Sequence, residues 1–410
     1  MAQVHGARRL QLRLYDTRRA AVVPFEPLGN RPIGLYVCGI TPYDTTHLGH
    51  AFTYLVFDVL QRYLAYHGRE VTYVQNLTDV DDDILRRARE LNEDYLALGT
   101  HHADRFLADM AALNWLAPAV LPRATEHIPH MQAMIERLLA RGHAYRTDGY
   151  VYLAAAADPA WGSLSHVPAA EQLALANERG NRPDLPGKRN PVDPVLWQPS
   201  APDEPAWDSP WGPGRPGWHI ECSAMSVTHL GPRFEIHGGG VDLAFPHHES
   251  ERLQSEGATG QQPVVGHWMH TGMVHYEDAK MSKSLGNLVM VRDLLRDWSA
   301  DVIRIALLRH RYREDLEWTD ARLTESKATV ERWAAVVDAD GVSEWTDAAA
   351  LPPEVDALRG RALEALDDDL DTARMIAALD ELAAMRSPAA SAVLADLGRA
   401  VLGLRLGPTR

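Results

Sequence analysis

The chain has only two cysteines, Cys38 and Cys222, in 410 residues. Two thiols so far apart do not suggest a disulfide framework, so thiol or metal chemistry is the more useful reading of each. Long apolar runs are missing as well. The opening "MAQVHGARRLQLRLYD" has no apolar signal core, and nowhere is there the stretch of roughly 18 apolar residues that a membrane span needs. These absences give no reason to expect a membrane partner and point to the cytoplasm. Basic charge is also scarce. Against 56 Asp and Glu there are 41 Lys and Arg, a formal net charge of −15, which argues against a broad nonspecific grip on nucleic acid because phosphate neutralisation takes clustered cations. Internal repeats and low-complexity tails are absent too.

What is present is the balance of a soluble globular protein, 46% hydrophobic and 24% charged, long enough for two or three domains with their own cores. Residues 33–39, "IGLYVCG", read as a buried strand. The helical spacing of "HLGHAFTYLVFDVLQRYLAYHG" from His47 to Gly68 reads as a helix closed by glycine, and "REVTYVQN" as a second strand. Strand, helix, strand is the unit of a parallel sheet. Residues 80–145 read as mainly helical. From Asp148 to Gly217 Pro, Gly and Trp accumulate, which predicts an irregular insertion. Strand and helix signals resume with "RFEIHGGG" and "DLAFPHHESERLQSEG". Beyond Ser299, a candidate N-cap, the pattern is helical to the end. The expected fold is α/β, with residues 1–115 and 218–298 as two halves of a nucleotide-binding domain, 116–217 inserted between them, and 299–410 a C-terminal helical bundle.

Two short motifs carry chemistry. "HLGH", His47 to His50, sits where a strand turns into a helix, so free backbone N–H groups and the positive dipole end suit an anion and the two histidines can donate to phosphate. "KMSKSLGN", Lys280 to Asn287, places Lys280 and Lys283 in a Ser/Gly-rich loop able to close over a polyphosphate and neutralise charge as pyrophosphate leaves. His247 and Glu251 are four apart on a predicted helix, so both project from one face as a two-ligand metal site does. In "GGGVD" the glycines would let a nucleotide approach the backbone, with Asp242 accepting from a ribose hydroxyl. The run Asp79 to Asp83 reads as a solvated cluster capping a helix start.

In order and separation, "HLGH" and "KMSKS" are the two signature motifs of class I aminoacyl-tRNA synthetases. Together with "YVCGITPYD", "VTYVQNLTDVDDDIL", "GKRNPVDPVLW", "GRPGWHIECSAMS" and "IHGGGVDLAFPHHESE", they resemble the cysteinyl-tRNA synthetase family over residues 33 to about 290. The resemblance implies a Rossmann-like sheet with a connective insertion, and catalysis by His47, His50, Lys280 and Lys283. It implies one zinc ion held by Cys38, Cys222, His247 and Glu251 that binds the thiol of L-cysteine, and ATP with Mg²⁺ as co-substrate. Cysteinyl-adenylate would be contacted by Cys38, Gly39, Ile40 and Thr41, by Thr53, by Asn76, Leu77 and Thr78, and by Trp218. Gly240, Val241, Asp242 and Val274 would complete that set, although the family more often has serine at position 241.

The acceptor of the activated cysteine has two readings. One is the amine of glucosaminyl-inositol, as in the related mycothiol ligases; the other is a tRNA terminal hydroxyl. "CGITPYD", with Ile40 and Pro42, and "ERGNRPDLPGKRNP", residues 178–191, look more like the ligase versions, and only about 125 residues follow "KMSKS", which fits the helical domain without a further anticodon-reading module. Asn181 and Arg182 depart from the glycine-rich ligase motif, and Glu251 keeps the synthetase-like fourth ligand. A third possibility, a non-catalytic sensor of cysteine or nucleotide, sits poorly with retention of both histidines, both lysines and the metal set.

Overall fold

The structure, a computed structural model, describes residues 10–43, 46–277, 279–281, 286–339 and 351–406. A small hairpin, β1 (Arg13–Asp16) and β2 (Ala21–Pro24), leads into β3 (Ile33–Ile40), α1 (Leu48–Tyr66) and β4 (Val71–Leu77). Two helices follow, α2 (Asp82–Leu91) and α3 (Tyr95–Ala112), then α4 (Ile128–Ala140). The insertion holds β5 (Ala144–Thr147), β6 (Tyr150–Leu153), α5 (Ala169–Glu178), β7 (Val195–Gln198) and β8 (Arg215–Pro216). The second half of the central layer is α6 (Trp218–Leu230), β9 (Phe234–Gly240), α7 (Glu249–Thr259) and β10 (Val265–Thr271). After it come β11 (Val274–Tyr276), β12 (Ala279–Lys280), α8 (Val291–Asp297), α9 (Ala300–Leu308), β13 (Leu316–Trp318), and the helices α10 (Asp320–Ala339), α11 (Pro353–Asp367), α12 (Thr372–Met385) and α13 (Pro388–Ala400).

The central sheet runs β10–β9–β3–β4, every pair parallel. Because helices cover both faces of such a sheet, its strands read as unbroken apolar runs, and β3 shows why: Ile33, Leu35 and Val37 enter the core shared with α1, while Tyr36 and Cys38 enter the core on the other face. The first core continues into the C-terminal helices, through Trp333, Leu366 and Leu394. The second joins α4 and α6 to the insertion through Val151, Leu196 and Trp197. A buried ion pair fastens the first of these. Arg304 Nη2 donates to Asp58 Oδ2 at 2.6 Å, both side chains fully buried, and its other nitrogens donate to the carbonyls of Leu402 and Leu113. Burying two charges costs several kcal/mol unless the hydrogen bonds are complete, and here Leu116 N and Arg62 Nε supply Asp58 with its remaining donors.

Three sequence readings need correction. The insertion is more regular than its composition suggests: β5–β6–β7–β8 form an antiparallel sheet, whose four- and two-residue strands are too short to show a period between prolines and glycines. The C-terminal part is not wholly helical, since β13 pairs with β11. The Asp79–Asp83 run divides. Asp81 caps α2, accepting from the N–H groups of Asp83 and Ile84, whereas Asp79 is buried and accepts from the N–H and hydroxyl of Thr125. Ser299 caps α9 as its position predicts, accepting from Val302 N.

Candidate active site

The site lies at the carboxyl ends of β3, β4, β9 and β10, where open parallel sheets receive ligands. Gly39 can approach β4 because it has no side chain: a Cβ there would fall 1.6 Å from the Asn76 carbonyl oxygen. Its N–H donates to Asn76 Oδ1, and Asn76 Nδ2 donates in turn to Thr78 Oγ1. Ile40 pairs with Leu77 at the strand ends. Thr41 donates to Asp81 Oδ2 at 2.6 Å, which ties this turn to the start of α2. On the other side of β3, Thr53 of α1 meets the hydroxyl of Thr271 at the end of β10. Gly240 ends β9, Val241 is exposed, and Asp242 follows in a short 3₁₀ turn.

The helix start expected to take phosphate packs against the segment that follows the second motif. His47 caps α1, its Nδ1 accepting from His50 N, and the two imidazoles stack with centroids 3.7 Å apart. His47 also bridges to Met290, Leu48 N donates to Val289 O, and Val291 N to Thr46 O, so the chain just after "KMSKS" runs against the start of "HLGH". Lys280 lies in β12, paired with His275 of β11, and Met281 N returns to the carbonyl of Val274. Lys283 lies outside the described residues.

At the carboxyl end of β3 a compact cluster forms. Ligand atoms of Cys38, Cys222, His247 and Glu251 all lie within 4.8 Å of one another, each residue buried. They come from β3, α6, the turn 244–248 and α7, so His247 and Glu251 are brought together across a π-turn joined to the helix rather than along one regular helix. His247 Nε2 is 3.1 Å from Glu251 Oε1, and Cys38 Sγ is 3.5 Å from the same oxygen. The expected ligands are therefore assembled, but a second set overlaps them: ligand atoms of Cys38, His237, His248 and Glu251 also lie within 4.8 Å of one another. His248 Nε2 stands 3.2 Å from Cys38 Sγ and His237 Nε2 3.4 Å. Sequence reasoning missed His237 and His248; the signals were the histidine of "EIHGGG" and the second of "PHH".

Electrostatics prepares the cluster for a cation. Burial keeps His237, His247 and His248 neutral by pushing them well below the ordinary imidazole value, and neutral imidazole is the ligating form. His219 is brought down to about 3 by burial and by Lys188, and His270 to about 4 by burial. Both hold candidate ligands: His219 Nδ1 contacts His247 Nδ1 at 2.8 Å, and His270 Nε2 contacts His248 Nδ1 at 2.7 Å while its own Nδ1 meets Thr17. Meanwhile burial, then Cys222, pushes the Cys38 thiol and the Glu251 carboxyl up. Without a cation these donors therefore hold their protons beside neutral nitrogens, and a divalent cation would take the protons' place. Thiolate, imidazole and carboxylate are zinc's donor chemistry, so the residues fit the ion.

The insertion reaches this cluster through residues 179–191. Arg179 donates to the Phe245 carbonyl, Trp161 packs on the Phe245 ring, and Lys188 lies close enough to His219 to depress it. Asn181 Oδ1 and the Arg182 carbonyl hold the Lys188 ammonium, which burial lowers to about 8.

A family model described as the tRNA synthetases class I (C) catalytic domain matches residues 24–328. The chain belongs to that family. Among its relatives, the L-cysteine:1D-myo-inositol 2-amino-2-deoxy-alpha-D-glucopyranoside ligase of Thermobispora bispora is 45% identical over 97% of this chain and 96% of its own length. The cysteine–tRNA ligase of Pelobacter propionicus is 44% identical over 91% of this chain and 78% of its own. Among solved structures, Mycobacterium tuberculosis methionyl-tRNA synthetase in complex with methionyl-adenylate superposes with a TM-score of 0.66 at 16% identity, over 91% of this chain and 92% of that one, which places the fold among class I synthetases. The chain is a ligase, and its family implies ATP with Mg²⁺. Among the described residues no helix is long and apolar enough to cross a membrane.

Proposed function

We propose that this class I ligase activates L-cysteine with Mg-bound ATP and passes the cysteinyl group to the amine of glucosaminyl-inositol, acting in the cytoplasm. The observation that carries the cysteine reading is the cluster of Cys38, Cys222, His247 and Glu251 at the carboxyl end of β3, where Gly39 is tied to Asn76. Zinc held there would offer the substrate thiolate a soft Lewis-acidic position that the hydroxyl of serine fits poorly. Trp218 stacks on the His247 ring, and Gly39 lets β3 close on the Asn76 carbonyl.

Activation is an in-line displacement: a carboxylate oxygen of cysteine bonds to the α-phosphorus of ATP and pyrophosphate leaves. Donors aimed at the charge that develops lower the barrier, and this role falls to His47, His50, Lys280 and Lys283. In transfer, the acceptor nitrogen bonds to the acyl carbon, the acyl–oxygen bond breaks, AMP leaves and the nitrogen gives up a proton. A small amine held against the bound adenylate needs positioning more than a large docking surface. Segment 178–191, of ligase-like sequence, supports that acceptor because it folds directly onto the turn that carries His247.

Charging of tRNA is the second reading, favoured by retention of Glu251. A side-by-side assay separates them. With ATP, Mg²⁺ and cysteine, glucosaminyl-inositol is expected to yield an amide and AMP while tRNA accepts no cysteine; robust tRNA charging without the amide would assign the chain to tRNA.

A further inference from the structure

Beside Thr78, at the start of α2, three carboxylates gather: Asp79, Asp81 and Glu221. Two have complete sets of donors. Asp79 takes the N–H and hydroxyl of Thr125 at 2.9 and 2.8 Å. Asp81 takes the N–H groups of Asp83 and Ile84 and the hydroxyl of Thr41. Glu221 differs: it is fully buried, and neither of its oxygens has a hydrogen-bond partner among the described residues. Burial disfavours the charged carboxylate, while the Thr78 hydroxyl lying alongside favours it. A buried carboxyl with both oxygens unmatched costs a folded chain more than a lost surface contact. Such an orphan calls for an explanation, and an absent ligand is one.

Position identifies the ligand's chemistry. Glu221 precedes Cys222 on α6, so the carboxyl stands one residue from a sulfur of the metal cluster, against the strand end where Asn76 and Thr78 lie. On the reading of this site as cysteine-activating, the substrate carries its thiol and its ammonium on neighbouring carbons. A group that reads the thiol therefore leaves the ammonium close by. An ammonium brings three donors and a positive charge to a place where carboxylates outnumber cations, and charge-assisted bonds are the stronger kind. We infer that Glu221 binds the α-ammonium of the substrate, so the site reads cysteine by two groups at once, sulfur at the metal cluster and nitrogen at Glu221. Thiols that lack the amine would then lose half of that recognition.

The test compares cysteine with 3-mercaptopropionate, which keeps thiol and carboxylate and lacks the amine, in the zinc-loaded full chain. The KM for cysteine comes from pyrophosphate exchange, and the inhibition constant of 3-mercaptopropionate from competition against it. Glu221→Gln is expected to raise the KM for cysteine by about tenfold or more, the scale of a hydrogen bond to a charged group. The inhibition constant of 3-mercaptopropionate and the zinc content should stay within about twofold of the unsubstituted chain. Glu221→Ala repeats the comparison should the glutamine chain fail to fold. An unchanged KM, or equal weakening of both thiols, would overturn the assignment in favour of a packing role. Cysteine-dependent exchange in the unsubstituted chain reports separately on the activation reading, and the ratio of the two thiols reports on Glu221.

Discussion

The indole of Trp218 lies 4.1 Å from the imidazole of His247, only 20° from parallel. Trp218 is the first residue of α6, and Cys222 stands one turn later on the same helix. One helix therefore supplies one candidate ligand and braces the ring of another. Stacked aromatic pairs contribute about 0.5–1.5 kcal/mol beyond their buried area, so Trp218→Ala is expected to raise the KM for cysteine by roughly three- to tenfold. Pyrophosphate-exchange kinetics at varied cysteine measure it, and the KM for ATP should move little.

The two overlapping donor sets make different predictions for the metal. A pair of thiolates suits zinc better than one thiolate with extra imidazole, because sulfur is the softer donor. Cys222→Ser and His247→Asn are expected to release zinc, whereas His248→Asn should keep about one equivalent per chain. Elemental analysis after dialysis against a weak chelator decides between them. The reverse pattern would place the ion among Cys38, His237, His248 and Glu251.

Lys280 lies in β12 and His50 in the first turn of α1, and both are proposed to meet the phosphates. Removing a donor aimed at transition-state charge costs on the order of a hundredfold in rate. Lys280→Ala and His50→Ala are each expected to lower cysteine-dependent exchange by about that factor while circular dichroism stays unchanged.

The insertion is clasped to α2 by charge. Arg215 bonds Glu204 and Asp82, and Arg89 bonds Glu204 and Asp203. Burial alone would raise the Glu204 carboxyl, but the hydrogen bond and charge of Arg215, with the Ala201 N–H and Arg89, hold it at about 2 against an ordinary 4.5. A carboxyl depressed in the folded state stabilises fully above its ordinary value and loses that contribution as pH falls toward the depressed one. The stability advantage of the unsubstituted chain over Glu204→Gln should therefore be constant near neutrality and shrink between about 4.5 and about 2. Thermal melts of both chains across that range check it.

What the sequence made legible follows from how each feature is encoded. β3, α1 and β4 could be read because a parallel strand buried on both faces is a continuous apolar run and its crossover helix keeps a clear period. Cys38 stood out through scarcity, and Cys222, His247 and Glu251 through resemblance; the structure assembles all four. His237 and His248 were not legible, since only the fold shows that β9 and the turn at 244–248 bring them to Cys38. Asp79 was misread because its partner, Thr125, lies far along the chain. Glu221 was invisible for a related reason: a missing partner leaves no trace in sequence.

The most direct test of the account is the exchange of labelled pyrophosphate into ATP by zinc-loaded protein with cysteine or serine as the amino acid. Cysteine should drive exchange at least about a hundredfold better than serine, the discrimination a site gains when it bonds a group the competitor lacks. Absence of exchange with cysteine, or equal exchange with serine, would contradict the claim that this cluster selects cysteine for activation.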